Sequence, residues 1–80
     1  MYHLYILKCS DGTLYTGIAK VLYRRVEEHN SSPKGAKYTR ARRPVELVYS
    51  QRFRDRSGAS KEESRVKALT REEKLKMISR

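Results

Sequence analysis

The sequence predicts an α+β domain in which a small three-stranded antiparallel sheet is flanked by helices, in the order ββαβαα. Two β-rich segments, residues 2–9 and 13–18, lie on either side of a Ser-Asp-Gly turn and predict a hairpin. A third segment with alternating apolar residues spans positions 45–53. Apolar residues at helical spacing occur between and after these strands, which is typical of a small sheet covered by helices.

The register of the hairpin depends on the length of its turn. A two-residue turn would put Tyr5 and Tyr15 on opposite faces of the sheet. If residues 10–12 form a three-residue loop, with its glycine in the left-handed bulge position, Tyr5 and Tyr15 share one face and Gly17 lies opposite Tyr5. The second register gathers the aliphatic residues better on the other face, and this pattern normally sets the register. We therefore expect the three-residue loop.

The first helix is expected in residues 20–30, followed by a stop at the Asn-Ser-Ser-Pro segment. Residues 34–43 form either an extra short helix, around 36–42, or a loop, and the proline that follows ends the segment. The apolar side of the first helix is expected to consist of Val21, Leu22, Val26 and His29.

Two more helices are expected after the third strand. Residues 54–58 are interpreted as a polar turn, and residues 59–69 as a helix. The capping box Thr-Arg-Glu-Glu at 70–73 begins a last helix, in which Leu75 and Ile78 are expected to point inward.

Composition limits the class of protein. The 80 residues fit one domain, 1–80, and contain 19 Lys and Arg against nine Asp and Glu, a net charge of +10. This balance indicates a polyanionic partner, most often nucleic acid. A single cysteine and two histidines exclude an internal disulfide and a four-ligand Cys/His zinc site. Without a signal peptide or a membrane span, the expected location is the cytoplasm and no membrane role is expected.

The densest positive charge lies in residues 34–43, where five cations occur without an acidic residue. Such clusters bind the phosphate backbone and carry little sequence information. The alternative is a solvated basic loop. We predict nucleic-acid contacts from Lys34, Lys37, Tyr38, Arg40, Arg42 and Arg43.

Several motifs in order resemble the GIY-YIG nuclease domain. His3-Leu4-Tyr5 and Tyr15-Thr16-Gly17 correspond to its two tripeptides, with a histidine in place of the first glycine. Arg25 and His29 resemble its Arg…His helix, and Glu63 begins a segment that resembles its Glu-x-x-Ile/Val-Lys helix. The likeness extends over nearly the whole chain, and residues 35–49 resemble the compact single-domain bacterial members.

The resemblance implies a metal-dependent endonuclease that hydrolyses DNA phosphodiester bonds, at branched or distorted DNA in repair or recombination. It implies one Mg²⁺ or Mn²⁺ ion, held by Glu63, and DNA as the partner. RNA stays open as a substrate, no protein partner is implied, and the chain is expected to be a monomer or a weak dimer. The catalytic residues that it implies are Tyr5, Tyr15, Arg25, His29 and Glu63.

In this scheme Tyr5, helped by Tyr15, takes a proton from the attacking water. Free tyrosine has a pKa of about 10, so the role needs nearby positive charge, which Arg25 and the ion would supply. Arg25 would clamp the scissile phosphate.

Structural alternatives stay open for two of these residues. His29 can simply pack at the end of its helix. Glu63 can close a capping box with Ser60 or pair with Lys67, and Glu62 is the second candidate for the metal ligand. The alternative function is a non-catalytic nucleic-acid-binding module that retains the nuclease fold.

Overall fold

The fold was obtained as a computed structural model that describes residues 1–79, and it confirms the α+β architecture. The elements are β1 (Tyr2–Lys8), β2 (Leu14–Ala19), α1 (Leu22–Ser31), α2 (Lys37–Arg40), β3 (Glu46–Phe53), α3 (Arg56–Lys67) and α4 (Arg71–Ile78). The three strands form one antiparallel sheet in the order β2-β1-β3. Of the two structures expected for residues 34–43, a short helix or a loop, the short helix α2 is present. No helix within residues 1–79 combines the length and the apolar character needed to cross a membrane.

The β1–β2 hairpin has the predicted three-residue loop. The Cys9 N–H donates to the Thr13 carbonyl at 2.8 Å, and the Gly12 N–H donates to the Cys9 carbonyl at 2.9 Å, which encloses residues 10–12. Gly12 has a φ of 85°, in the left-handed region where glycine carries no steric penalty. Tyr5 consequently pairs with Gly17 across the strands.

The sheet separates two apolar clusters because successive side chains of a strand point to opposite faces. One face packs against α1 through a cluster of Tyr5, Leu7, Cys9, Leu22 and Val45. The other face packs against α3 and α4 through Leu4, Ile6 and Val66, with partly buried side chains around them. β1 is therefore buried on both sides, and its odd-numbered residues face α1.

Helix α3 begins earlier than predicted, at Arg56, so the predicted polar turn at 54–58 is wrong. Asp55 is the N-cap, and its carboxylate accepts the Gly58 N–H at 2.9 Å. The first turn lacks large apolar residues, so periodicity alone did not reveal it. As a consequence Glu63 lies in the second half of the helix, away from its start, and the proposed capping box with Ser60 does not form.

Two predicted core positions are exposed. Val21 is the N-cap of α1 and is 56% exposed, and Leu75 on α4 is 42% exposed. In α4 the inward positions are Met77 and Ile78, which pack against the cluster under the sheet. The predicted capping box of α4 is confirmed, with the Thr70 side chain accepting from the backbone of Glu73 and the Glu73 carboxylate accepting from Thr70.

The segment between α1 and β3 is fastened to the end of α1. The Arg43 guanidinium donates to the carbonyls of His29 and Ser32, both at 2.6 Å. The Asn30 side chain accepts the Val45 N–H at 2.7 Å and donates to the Val45 carbonyl at 3.0 Å. Helix ends leave unpaired carbonyls, so Arg43 stabilises the end of α1, and these bonds fix α1 relative to β3.

Replacing Gly17 with alanine should destabilise the protein. A Cβ at this position would lie 2.6 Å from the Tyr5 hydroxyl oxygen and 2.8 Å from Cζ of the same ring, so the buried ring would have to shift. We expect Gly17→Ala to lower the free energy of unfolding by about 1–3 kcal/mol, measured by urea denaturation.

The matched control is Gly58→Ala. A Cβ there would lie 3.4 Å from the Phe53 ring, an ordinary contact, and alanine favours the helix. This variant should unfold at the same or a higher urea concentration. Equal stability of Gly17→Ala and the wild type would contradict the close packing of Tyr5 on Gly17.

Candidate active site

A buried hydrogen bond joins β1 to α1. The Tyr5 hydroxyl lies 2.8 Å from Nε2 of His29. Tyr5 is 1% exposed and His29 is fully buried. Buried polar groups need such partners, because an unpaired group would lose its hydration without compensation. The pair thus places the predicted catalytic tyrosine and histidine in direct contact.

The other ring nitrogen of His29 contacts the α2 segment. Nδ1 lies 2.8 Å from the Thr39 hydroxyl, and that hydroxyl donates to the Ala36 carbonyl at 2.9 Å. If Nδ1 carries the proton, each short bond has one donor and one acceptor. The Tyr5 hydroxyl then donates to Nε2, Nδ1–H donates to the Thr39 hydroxyl, and that hydroxyl donates to the Ala36 carbonyl. The Ala36 N–H approaches Nδ1 at a longer distance, 3.3 Å. We assign the Nδ1–H tautomer on the shorter bonds.

The surroundings of His29 keep its imidazole neutral. Burial, with additional repulsion from the Arg25 and Arg43 guanidinium groups, lowers the pKa of His29 to about 4, although Glu28 acts in the opposite direction. At neutral pH the ring is therefore an acceptor for a neighbouring hydroxyl and not a cation.

Burial has the opposite consequence for Tyr5. Burial and the neighbouring Tyr15 raise the pKa of Tyr5 to about 12, against the lowering effect of Arg25 beside its hydroxyl. The sequence-based expectation that Arg25 helps to lower this pKa gives the correct sign for Arg25. The net shift is upward because burial has the larger effect. Tyr5 is therefore a protonated phenol at neutral pH in the free protein.

Tyr15 lies on the same face as Tyr5, as the register predicts. Its ring centroid is 5.2 Å from that of His29, with the planes tilted by 60°. On the outer side it stacks with Tyr38 at 5.8 Å and 27°. The Arg42 guanidinium lies 4.0 Å from the Tyr38 ring centroid and 3.1 Å from the Asp11 carboxylate in the hairpin loop. A column of rings and charges thus connects the buried histidine to the surface.

Arg25 lies at the mouth of the site, one turn before His29 on α1. Its guanidinium donates to the Glu28 carboxylate at 3.0 Å and to the Lys34 carbonyl at 2.9 Å. Its side chain is 31% exposed and also lies close enough to Tyr5 to lower the pKa of that hydroxyl. A cation that reaches both solvent and the tyrosine can meet a phosphate there.

Glu63 on α3 is the predicted metal ligand. It lies close enough to Tyr5 for its charge to raise the pKa of that hydroxyl, although burial has the largest effect. It is 23% exposed and pairs with Lys67 at 3.3 Å. Glu62, the second candidate, instead holds the Arg65 guanidinium with both oxygens, at 2.7 and 2.6 Å. The geometry therefore favours Glu63 over Glu62.

Among the described residues, no further protein ligands complete a metal cage around Glu63. Within residues 1–79, no group of three or more His, Cys, Asp or Glu side chains is arranged to hold an ion. One carboxylate suits Mg²⁺, which keeps several waters and binds substrate phosphate oxygens. Glu63 therefore fits a shared Mg²⁺ and does not fit a closed zinc site.

The predicted binding cluster divides into bonded and free side chains. Arg42 and Arg43 are bonded to other parts of the protein, and Arg40 donates to the Pro33 carbonyl at 2.8 Å. Within the described part of the chain, the Lys34 and Lys37 ammonium groups have no carboxylate or carbonyl partner, and Tyr38 is 39% exposed. The two lysines are consequently the freest cations of this cluster.

Sequence reasoning missed the partners that hold the site in place. Thr39, which lies within the basic segment 34–43, is fully buried against His29. Asp11 was assigned to a turn and not to an ion pair with Arg42. These partners are ten and 31 residues apart, and no local pattern connects them.

Comparisons with known proteins identify the family of the chain. A profile described as the GIY-YIG catalytic domain matches residues 1–76. A UPF0213 protein of Desulfotalea psychrophila is 54% identical over 77 residues, which cover 96% of this chain and 70% of the relative. A UPF0213 protein of Staphylococcus epidermidis is also 54% identical, covering 96% of this chain and 93% of the relative.

A solved structure is similar in fold as well. The solution structure of a UPF0213 protein from Bacillus halodurans is 42% identical, with a TM-score of 0.63, and the match covers 99% of this chain and 84% of that one. With a domain profile that spans almost the whole sequence and relatives at this level of identity, the chain belongs to the GIY-YIG family of nucleases.

Proposed function

We propose that this protein is a divalent-metal-dependent endonuclease that hydrolyses DNA phosphodiester bonds at branched or distorted sites, as in repair or recombination. The observation that carries the proposal is the buried Tyr5–His29 hydrogen bond, with Arg25 beside the same hydroxyl and the Glu63 charge within electrostatic range of it. Together these groups offer a proton acceptor, a cation for the phosphate and a carboxylate for an ion, which phosphodiester hydrolysis needs.

The proton of the attacking water passes through Tyr5 to His29. A phenol with a pKa of about 12 is not a base by itself at neutral pH. It can, however, accept the proton of the water while it gives its own proton to the neutral Nε2 of His29, 2.8 Å away. The resulting imidazolium keeps its Nδ1–H bond to Thr39. The phenol thus relays the proton and needs no free tyrosinate.

Arg25 has two positions in this scheme. In the free protein it lies beside the Tyr5 hydroxyl and is bonded to Glu28. When DNA binds, its guanidinium moves to the scissile phosphate and the attacking water takes its place beside Tyr5, which is otherwise buried. The planar guanidinium then stabilises the charge that grows on the phosphate oxygens.

Glu63 would hold Mg²⁺ or Mn²⁺, with the remaining ligands supplied by water and phosphate oxygens. The bound ion supplies Lewis-acid polarisation of the phosphate. Glu63 is available for this purpose because it does not cap its helix, and its partner Lys67 is a half-exposed helix residue.

Nucleic acid is the proposed substrate because of the net charge of +10 and the free lysines near the site, and DNA is preferred to RNA because the chain belongs to the GIY-YIG nucleases. The first experiment is cleavage of end-labelled branched DNA, and of the unbranched duplex, with and without Mg²⁺ or Mn²⁺. Divalent-dependent cleavage of the branched DNA is the expected result. Salt-dependent binding without any cleavage would instead support a non-catalytic binding module.

Glu63→Gln should abolish cleavage while DNA binding stays close to that of the wild type. The amide oxygen is a much poorer ligand for Mg²⁺ than a carboxylate. The variant loses only the pair with Lys67 on a helix surface, which contributes about 0.5 kcal/mol or less. Cleavage of labelled DNA under saturating metal and binding by fluorescence anisotropy measure the two effects.

The matched control is Glu62→Gln, which loses a comparable helix-surface pair with Arg65 but not the carboxylate near Tyr5. It should cleave like the wild type. If Glu63→Gln cleaves equally well, Glu63 is not the metal ligand.

Replacing Lys34 and Lys37 with alanine should weaken binding to unrelated DNA sequences alike. Each phosphate that is no longer neutralised should reduce the slope of log Kd against log salt by roughly 0.9 on duplex DNA. Arg43→Ala should mainly lower stability, because Arg43 bonds the end of α1. An unchanged slope in the double lysine variant would remove these lysines from the interface.

Acid should destabilise the protein through His29. The unfolded imidazole binds a proton near pH 6.5 and the folded one only near pH 4. Between these values the unfolded chain binds more protons, so the free energy of unfolding falls as pH is lowered, by at most about 1.4 kcal/mol per pH unit from this group. Above pH 6.5 this contribution is complete and constant.

Urea titrations of the wild type and of His29→Gln between pH 4 and pH 6.5 measure how the free energy of unfolding of each protein depends on pH. The acidic residues titrate in both proteins, so the difference between the two pH dependences belongs to His29. If the variant does not fold, the ¹⁵N shifts of the wild-type imidazole provide the test. They should be those of a neutral ring at pH 6, and an imidazolium at that pH would contradict the assignment.

A further inference from the structure

A groove lies on the α1 side of the sheet, where β1, β3 and the first turn of α1 meet. Its volume is about 530 Å³, within the range of small-ligand pockets. None of its lining residues belongs to the set that the sequence analysis assigned to catalysis or binding. The lining includes His3, Lys20, Val21, Tyr23, Ser50 and Arg52.

The groove adjoins the candidate active site. His3 and Tyr5 lie on the same face of β1, two residues and therefore about 6.7 Å apart along the strand. Tyr5 pairs with Ser50 on β3, and His3 pairs with Arg52. A second cavity of about 230 Å³ shares Lys20 with the groove and is lined by Arg25. The path from the groove to Arg25 thus runs along the start of α1.

The groove offers free positive charge. No carboxylate is among its lining residues. Within residues 1–79, Lys20 and Arg52 form no ion pair or side-chain hydrogen bond, unlike Arg40, Arg42 and Arg43 of the predicted cluster. Cations without an internal partner bind phosphate at a smaller cost, because no existing bond has to break.

The groove also offers an unused aromatic ring. Tyr23 is 78% exposed, the largest exposed fraction among the large apolar side chains of the described residues. It has no stacking partner there, whereas Tyr15 and Tyr38 stack with each other. An exposed ring beside two free cations is the combination that binds single-stranded nucleic acid, by stacking with a base while the cations follow the backbone.

We propose that this groove binds one unpaired nucleotide next to the scissile phosphate, so that the substrate carries a single-stranded arm at the point of cleavage. The base stacks on Tyr23, and Lys20 and Arg52 contact the adjoining phosphate. The nucleotide must be unpaired because a base within a duplex is stacked between its neighbours and its faces are covered. The inference rests on the proposed nuclease function and specifies its substrate.

The test is binding of the full chain to two fluorescein-labelled DNAs, measured by anisotropy in EDTA so that metal-dependent cleavage does not occur. One DNA is a blunt duplex, and the other is the same duplex with a single-stranded arm. The wild type should bind the armed DNA more tightly. Tyr23→Ala should weaken binding of the armed DNA roughly 5- to 150-fold, the range expected for loss of one stacked base, and leave the blunt duplex unchanged.

Two further variants separate stacking from charge. Tyr23→Trp retains an aromatic face and should retain the preference for the armed DNA. The double variant Lys20→Ala, Arg52→Ala should reduce the salt slope of armed DNA by roughly 0.7 for each single-strand phosphate that is no longer neutralised. The charge-matched control is the double variant Arg71→Ala, Lys76→Ala on α4, a helix that packs against the other face of the sheet. This control should bind the armed DNA more tightly than the blunt duplex, as the wild type does.

Equal binding of both DNAs by the wild type, or an unchanged preference in Tyr23→Ala, would overturn the groove assignment. An equal loss of preference in Tyr23→Ala and Tyr23→Trp would overturn the stacking contact. Failure of the proposed nuclease function would be seen in a different measurement, as no divalent-dependent cleavage of either DNA. That result leaves the binding measurements in EDTA unaffected.

Discussion

The hydrogen bond between Tyr5 and His29 is the constraint on which the rest of the structure depends. Two polar side chains are buried together between the sheet and α1, and the bond between the Tyr5 hydroxyl and Nε2 of His29 replaces the water that both atoms lose. Gly17 leaves room for the phenol on the neighbouring strand. Thr39 saturates the far side of the imidazole, which requires that α2 close over α1. The fold and the candidate site are therefore fixed by the same contacts.

Burial also decides the protonation of this pair. It keeps the imidazole neutral and the phenol protonated, so the pair carries no charge in the free protein and Nε2 is an unprotonated acceptor for the phenol proton. A buried tyrosinate beside a buried imidazolium would need strong compensation in the free protein. In the proposed mechanism the pair stays neutral until a phosphate and an ion bind at the mouth of the site beside Arg25. Preorganisation of this kind is an electrostatic source of catalysis.

The net charge of the chain is not spread evenly over free side chains. Arg25, Arg42 and Arg43 are used inside the protein, where their planar guanidinium groups bond carbonyls and carboxylates. Among residues 1–79, the cations without an internal partner include Lys34 and Lys37 in the α2 segment and Lys20 and Arg52 in the groove. A run of basic residues in a sequence therefore indicates a polyanionic partner but does not identify the side chains that meet it.

The sequence by itself determined the α+β class, the strand order along the chain and the hairpin register, because alternation and turn chemistry are local and their effect on pairing is large. It also singled out Tyr5, Tyr15, Arg25, His29 and Glu63 through their resemblance to a family. Only the tertiary structure decided the start of α3 at its Asp55 cap, the exposure of Val21 and Leu75, the partner of His29, and the internal use of Arg43. The exposures and the side-chain partners depend on contacts between residues that are distant in sequence, which no local pattern reveals. The Asp55 cap is a local signal, but apolar periodicity does not register it.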